Sequence, residues 1–265
     1  MPRILHLSDI HFGAENTLAT AAAADFACRH PFDLLVITGD ITQDGKPLEF
    51  EAAARWYNLL PGPKLITPGN HDMPQIHPER LYHPFGRYRR RFGPPGSAWF
   101  DGAGMAVRAF NTARGIQLRP NWSKGAFSKG QAAAVANDLS CASVGVARIA
   151  VCHHPLVEVP DGPMTARVIG GAHGAERLAG AGVDLILSGH VHTPFAFPLP
   201  YADRRTYSVG AATLSLRERG TPPGFNVIDI DAAAIRVTAQ AWTGSHFEPA
   251  RTWGLPRRAS GNLSA

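Results

Sequence analysis

Apolar positions along this chain come in short continuous runs rather than in strict alternation. Ile4–Leu7, Asp33–Ile37, Lys64–Thr67, Arg148–Cys152 and Asp184–Leu187 are each of strand length. Runs of that kind predict strands buried on both faces, as in a sheet covered by helices. Between them lie stretches with helical character. The Ala-rich segment Leu18–Cys28 is one, and Leu48–Leu60, closed by Pro61-Gly62-Pro63, is another. Ser128–Leu139 is a third with Ser128 as its cap, and a short helix around Ala175–Leu178 follows the Gly-rich segment Gly170–Gly174. Strand, helix, strand in repetition predicts an α/β fold. Trp99–Asn111 alternates as strands with outward polar positions do, whereas Pro74–Pro95, crowded with Pro, Tyr and Arg, reads as irregular. From Tyr207 onward the runs Tyr207–Val209, Phe225–Asp229 and Ile235–Thr238 predict antiparallel strands. No internal repeat or long linker divides the chain. A single domain over residues 1–252 is expected, with residues 253–265 as a flexible tail.

Composition narrows the class only a little. A chain of 265 residues with 45% hydrophobic and 18% charged residues has the make-up of a soluble globular protein with a sizeable core. The formal charge of +5 permits an anionic substrate, a nucleic acid or an anionic membrane surface and compels none of them. Cys28, Cys141 and Cys152 are odd in number and lack CxxC spacing, so a reducing compartment is expected and a disulfide framework is not. The first residues lack the usual signal-peptide shape, and no apolar run approaches the ~18 residues that span a bilayer. A cytoplasmic protein without a transmembrane segment is the expectation. Neither a Walker loop nor GxGxxG is present, which removes the common nucleotide-binding folds.

What lifts the sequence out of this background is how its strands end. Asp9-Ile10-His11 follows the first run, Gly39-Asp40 the second and Gly69-Asn70-His71-Asp72 the third. His153-His154-Pro155 and Gly189-His190-Val191-His192 follow the later two. In sheets of this kind ligands bind beyond the carboxyl ends of the strands. A mixed set of Asp, Asn and His suits Mn, Fe or Zn, whereas an all-oxygen set suits Mg or Ca. The candidates Asp9, His11, Asp40, Asn70, His153, His190 and His192 are too many for one ion. They suit two divalent ions ~3.5–4 Å apart that share a carboxylate. Two such ions, offset by two carboxylates and a bridging hydroxide, leave a net charge of about +1, which favours an anionic substrate.

These five blocks, in this order and spanning residues 4–193, resemble the signature of the calcineurin-like metallophosphoesterases. The resemblance implies a four-layer αββα sandwich of two mixed β-sheets flanked by helices. It also implies that Asp9, His11 and His192 bind one metal, that Asn70, His153 and His190 bind a second, and that Asp40 bridges them. His71 would stabilise or protonate the leaving oxygen, with Asp72 orienting it. His153 is chosen over His154 because the family pattern is His-x-Pro. One position departs from many relatives: Gln43 stands three residues after the bridging Asp where they carry an acid, and Asp44 follows it.

The implied activity is a dinuclear metal-dependent phosphoester hydrolase, a phosphodiesterase using a metal-bridging hydroxide for in-line attack on phosphorus. Within that family the chain looks most like bacterial class III cyclic-nucleotide phosphodiesterases and their neighbours. The expected partner is a small anionic phosphoester, a cyclic nucleotide among the options. No stable nucleic-acid complex is expected, and a homodimer stays open because relatives form them. A phosphomonoesterase or protein phosphatase would use the same seven ligands. A lipid-precursor pyrophosphohydrolase would use Arg87-Tyr88-Arg89-Arg90-Arg91 at a membrane surface. A metal-stabilised binding module without turnover is the alternative from another class.

The remaining polar residues carry weaker expectations. The Arg87–Arg91 run reads by default as a solvated helix face. His6 is expected to be a core or supporting histidine, and His154 a support or a substrate contact. Cys152 is expected to be inert packing. Thr213, Ser215, Arg217 and Arg219 follow a strand and lie where they can rim the site, with no role assigned.

Overall fold

The computed structural model describes residues 1–118, 121–165 and 168–258. The apolar runs at the start of the chain become β1 (Arg3–Leu7), β2 (Leu34–Thr38) and β3 (Lys64–Thr67), paired in parallel. Successive side chains on these strands point to opposite faces. Ile4, Leu34, Val36 and Leu65 join a core with Val107, Ile149, Leu185 and Val209 of a second sheet. Leu5, Leu7, Leu35 and Ile37 pack instead under helices α1 (Thr17–Arg29) and α2 (Pro47–Leu59). Burial on both faces is why these strands show no polar alternation.

The first sheet is completed by the antiparallel strands β10 (Gly224–Ile230), β11 (Ala234–Trp242) and β12 (Phe247–Pro256), in the order β12-β11-β10-β1-β2-β3. The second has the order β4-β5-β6-β7-β9-β8. Its strands are β4 (Trp99–Gly102), β5 (Met105–Ala109), β6 (Ala147–Val151), β7 (Leu185–Ser188), β8 (Phe195–Pro198) and β9 (Tyr207–Gly210). The outer face of this sheet is covered by α5 (Lys129–Ser140) and α6 (Gly171–Gly180), whose Ala132, Ala136, Ala175 and Leu178 pack on Ala150 and Ile186. The result is helices, sheet, sheet, helices, the expected αββα sandwich of two mixed sheets.

Local signals set the helix ends. Asn16 Oδ1 accepts from the amide of Ala19 at 3.1 Å to start α1. Ser128 and Gln131 cap α5 reciprocally, as the Ser-x-x-Gln spacing predicts. Ala19, Ala23 and Ala27, all on one face, let α1 lie close to the sheet.

Several elements differ from the sequence expectations. The supposedly irregular stretch holds α3 (Glu79–Tyr82) and α4 (Gly86–Phe92). Helix α4 is fastened mainly by buried Tyr88, whose hydroxyl donates to the Ile66 carbonyl at 3.2 Å, so the arginines around it leave no apolar stripe. β9 pairs antiparallel with edge strand β8, as expected, but parallel with β7 on its other side, because β8 makes the turn between them. The polar edge strand β12 was not expected. It runs to Pro256, so the domain boundary at residue 252 falls inside a strand. Of the supposed tail, 253–256 are paired with β11. Arg258 is bonded to Asp203, while residues 259–265 lie outside the described residues. Among the described residues no helix is long and apolar enough to cross a membrane.

Candidate metal centre

The parallel strands β1, β2, β3, β6 and β7 deliver their carboxyl ends to one side of the sandwich. The chain must turn sharply there. Asp9 (φ 52°), His11 (52°), Asp40 (48°), His190 (71°) and His192 (63°) all adopt the left-handed backbone region. Non-glycine residues hold such conformations only where surrounding structure enforces them. Here the enforcement is visible. The Asp9 amide donates to the Gly39 carbonyl at 3.0 Å, the His11 amide to the Asp40 carbonyl at 3.0 Å, and the Gly189 amide to the His153 carbonyl at 2.9 Å. Two glycines permit the close approach: a Cβ on Gly189 would overlap Ser8 Oγ and Asp9 Oδ2, and one on Gly69 would overlap the Asp40 carboxylate.

The candidate ligand atoms of Asp9, His11, Asp40, His153 and His192 then come together. Asp9 Oδ1 lies 3.2 Å from His192 Nε2 and 3.8 Å from His11 Nε2, and the two imidazole nitrogens are 3.3 Å apart. Asp40 Oδ2 lies 3.2 Å from His153 Nε2 and 3.9 Å from His11 Nε2, between the two groups. The other carboxylate oxygens are already engaged. Asp9 Oδ2 accepts from Ser8 Oγ at 2.6 Å and the His190 amide at 2.8 Å, and Asp40 Oδ1 accepts from the His71 amide at 2.7 Å. Similarly, His153 Nδ1 donates to the Thr38 carbonyl and His192 Nδ1 to the Arg217 carbonyl, both at 2.7 Å. Each bond fixes a tautomer whose Nε2 lone pair faces the cluster.

Asp9 Oδ1, Asn70 Oδ1, His153 Nε2 and His190 Nε2 are buried without a hydrogen-bond partner. Unpartnered buried polar atoms are costly and rare. Asp9 and His153 group with Asp40, and His190 groups with His153; O and N donors of this kind fit divalent first-row cations.

Electrostatics point the same way. Burial pushes the Asp9 carboxyl up, but the His192 imidazole outweighs it and holds the group below the usual carboxylate range. Burial also opposes ionisation of Asp40, yet His153 and His71 hold it well below that range. Burial pushes His11 and His190 down to about 3 and keeps them neutral. His153 is the exception: burial lowers it, but the charges of Asp40 and Asp9 prevail and raise it to about 9. The same two carboxylates would favour any positive charge placed between them.

The two expected catalytic residues part company. His71 lies at the cluster, its ring edge-on to His11 at 4.8 Å, with Nδ1 donating to the Gln43 carbonyl at 2.6 Å. That carbonyl, and not Asp72, is what orients the ring. Asp72 Oδ1 accepts from the Ile41 and Thr42 amides and Thr42 Oγ1, each at 2.9 Å, and Oδ2 accepts from the Gly69 amide at 2.8 Å. Asp72 therefore ties the β2 loop to the β3 loop. Burial and the neighbouring Asp40 charge raise its pKa to about 6. The expectation that it orients His71 is corrected by these four bonds.

His154 has both ring nitrogens engaged, Nδ1 with Thr112 Oγ1 and Nε2 with the Ser123 carbonyl, each at 2.8 Å. It stands 4.5 Å from the His190 ring as a wall and has no free lone pair for a metal. Of the Arg87–Arg91 run, Arg89, Arg90 and Arg91 form a solvated face, whereas Tyr88 is buried and Arg87 is half-buried and paired to Glu79. His6 sits behind the centre, its Nε2 3.1 Å from Thr38 Oγ1.

Sequence reasoning gave no role to the segment after β9. Thr213 Oγ1 donates to the Asp9 carbonyl at 2.6 Å, and Arg217 Nη1 lies 3.1 Å from His71 Nε2. The available signal was the position of Tyr207–Val209 as a further strand; its parallel sense, which brings the following loop to the site, was not legible.

The family model described as calcineurin-like phosphoesterase matches residues 2–194. A protein of Synechococcus sp. named "Probable cyclic nucleotide phosphodiesterase" is 37% identical over 57 residues, 22% of this chain and 22% of that one. A glycerophosphodiester phosphodiesterase of Enterobacter lignolyticus is 34% identical over 80 residues, 26% of this chain and 29% of that one. The chain thus spans less than a third of the length of either curated relative. Among solved structures, a purple acid phosphatase from yellow lupin superposes with a TM-score of 0.67 at 13% identity, over 97% of this chain and 54% of that one. GAP50 of Plasmodium, the anchor in the inner membrane complex, also gives 0.67, at 14% identity over 99% and 91%. These two establish the fold alone.

Proposed function

The chain belongs to the calcineurin-like phosphoesterase family, and from that premise we propose that it is a phosphodiesterase working with two divalent cations. The observation that carries this reading is the set of partnerless buried atoms, Asp9 Oδ1, Asn70 Oδ1, His153 Nε2 and His190 Nε2, beside the close grouping of Asp9, Asp40 and His153. Asp9, His11 and His192 would hold one cation, Asn70, His153 and His190 the other, and Asp40 would serve both. When bound, such cations polarise a phosphoryl oxygen and acidify water near neutral pH.

The rest follows from the chain's own groups. Asp9 and Asp40 each present one oxygen to the centre because their other oxygens are engaged by Ser8, His190 and His71. His71 presents Nε2 to the mouth, since Nδ1 carries the proton given to the Gln43 carbonyl. In that form Nε2 accepts, as it does from Arg217, and only the imidazolium, with a second proton on Nε2, would stabilise or protonate a leaving oxygen. Asp72 acts at a distance by holding the loops that carry Asp40 and Asn70. A diester is favoured over a monoester by the names of the two partial relatives, both phosphodiesterases.

Hydrolysis of bis(p-nitrophenyl) phosphate beside p-nitrophenyl phosphate, after metal stripping and re-addition of Mn, tests the reading. Diester turnover well above monoester turnover, lost on chelation and in Asp40→Ala, is expected. No metal-dependent turnover of either ester would overturn it.

A further inference from the structure

The residue of this mouth with least to do is Arg217. Its main chain is pinned to the metal centre: the amide donates to Ser215 Oγ at 3.2 Å, and the carbonyl accepts from His192 Nδ1. Ser215 is in turn bonded to Thr213, and Thr213 to Asp9. The side chain is therefore launched from a fixed base beside one ligand group and crosses to the other side of the mouth. There Nη1 lies 3.1 Å from His71 Nε2 and 3.5 Å from Gln43 Oε1.

Both partners are neutral acceptors. Three other guanidinium groups withdrawn from solvent are spent: Arg87 on Glu79, Arg108 on Asp101 and Asp138, and Arg80 on two backbone carbonyls. Arg217 has no carboxylate within ion-pair distance among the described residues, and its Nε and Nη2 make no hydrogen bond there. Gln43 is decisive, because a carboxylate at that position would neutralise the guanidinium. The amide leaves a full positive charge and two free N–H edges beside the atom of His71 that meets substrate. A planar fork of donors suits phosphoryl oxygens.

We propose that Arg217 is a substrate-binding residue that takes a peripheral oxygen of the phosphoryl group and equips this centre to hydrolyse dianionic phosphomonoesters as well as diesters. The proposal rests on the phosphoester reading above. Two divalent cations set against Asp9 and Asp40 already leave positive charge, and Arg217 adds one unit more. That increment matters most to a phosphoryl group with two negative charges. In the added reaction one water molecule forms a P–O bond and the bond from phosphorus to the ester oxygen breaks. One water proton ends on the leaving oxygen and the other stays with the phosphate. The monoester released from a diester is then itself a substrate.

The test uses Mn-reconstituted protein and two variants, Arg217→Gln and Gln43→Glu. The second leaves Arg217 in place but supplies the missing carboxylate. Calorimetric titration with inorganic phosphate measures binding without turnover, and kcat/KM is measured on p-nitrophenyl phosphate and bis(p-nitrophenyl) phosphate. Both variants, with wild-type metal content, are expected to bind phosphate at least about tenfold more weakly. They should also lose kcat/KM on the monoester by at least about tenfold more than on the diester. Wild-type phosphate affinity in Arg217→Gln, or equal losses on the two esters, would overturn the proposal. If the wild-type protein hydrolyses neither ester while phosphate binding still depends on Arg217, the anion role stands and the hydrolase reading falls.

Discussion

The backbone amide of His190 donates to Asp9 Oδ2 at 2.8 Å, joining the carboxyl end of β7 in one sheet to that of β1 in the other. Other polar bonds also cross between the sheets over their shared apolar core, among them His153 Nδ1 to the Thr38 carbonyl and Asn226 Nδ2 to the Gly210 carbonyl. The His190–Asp9 bond helps to fix the relative position of the sheets at the edge that carries the cluster. It also differentiates the two oxygens of Asp9: with Ser8 Oγ it occupies Oδ2 and leaves Oδ1 without a hydrogen-bond partner.

Asp9→Asn follows directly. The amide must turn its NH2 either toward Ser8 Oγ and the His190 amide, both of which donate, or toward His11 and His192. The first leaves buried donors facing one another, costing about 1–3 kcal/mol, and the second places a proton where a cation would sit. The variant should retain the cation held by Asn70, His153 and His190 and lose the one held by His11 and His192. Metal analysis after gel filtration measures this, and an unchanged metal content would count against the assignment of Asp9.

Gly189→Ala probes the same contact by bulk. A methyl group there would overlap Ser8 Oγ and Asp9 Oδ2 and push Asp9 away from His192. Overpacking of this kind costs roughly 1–3 kcal/mol. Thermal melting should show a lower Tm, and Mn should raise the variant's Tm less than that of the wild type, since weaker binding stabilises less. An equal Mn-induced shift would mean that Asp9 is not displaced.

Asp72→Asn separates two roles. With four donors converging on its carboxylate, an amide leaves at least one of them facing an NH2, at a cost of about 1–3 kcal/mol. The loops after β2 and β3 should loosen together, so Tm and Mn affinity should both fall. The pH dependence of kcat at saturating Mn should keep its shape, because the His71 ring is oriented by Gln43. A shifted kcat profile with unchanged Tm would return Asp72 to direct partnership with His71.

The grouping of Asp9, His11, Asp40, His153, His190 and His192 was legible because each lies within a few residues of an apolar run, and a strand's carboxyl end is a definite place in a parallel sheet. Ser128 as a helix cap was legible for a similar reason, since a cap is local. What escaped depends on distant parts of the chain. The sense of β9 is set by where β8 turns, and the pairing of β12 by a neighbour with an exposed outer edge. The role of Asp72 escaped because adjacency in Asn70-His71-Asp72 suggests a partnership, whereas the four donors come from Gly69 and from residues about thirty positions earlier. Arg217 could not be placed until β9 was known to run parallel to β7.

His6 yields the pH dependence of the fold itself. It is fully buried on β1, with Nε2 against Thr38 Oγ1 and Nδ1 3.4 Å from Asn226 Nδ2. Burial pushes its pKa down to about 3, against opposing effects of Asp9 and the Ser188 backbone. Above the ordinary value of 6.5 both folded and unfolded chains carry it neutral, and it contributes no pH dependence. As pH falls from 6.5 toward 3 the unfolded chain takes up a proton that the folded chain refuses, so stability is lost with acid across that window. At about 1.4 kcal/mol per pH unit the loss from this group reaches roughly 2 kcal/mol by pH 5. His6→Gln removes the titration while keeping a polar side chain. Urea unfolding of chelator-treated protein at pH 7.5 and 5.0 should therefore show a variant less stable than wild type at the higher pH, yet losing roughly 2 kcal/mol less between the two. An equal loss in both proteins would mean that His6 takes up its proton within the folded chain.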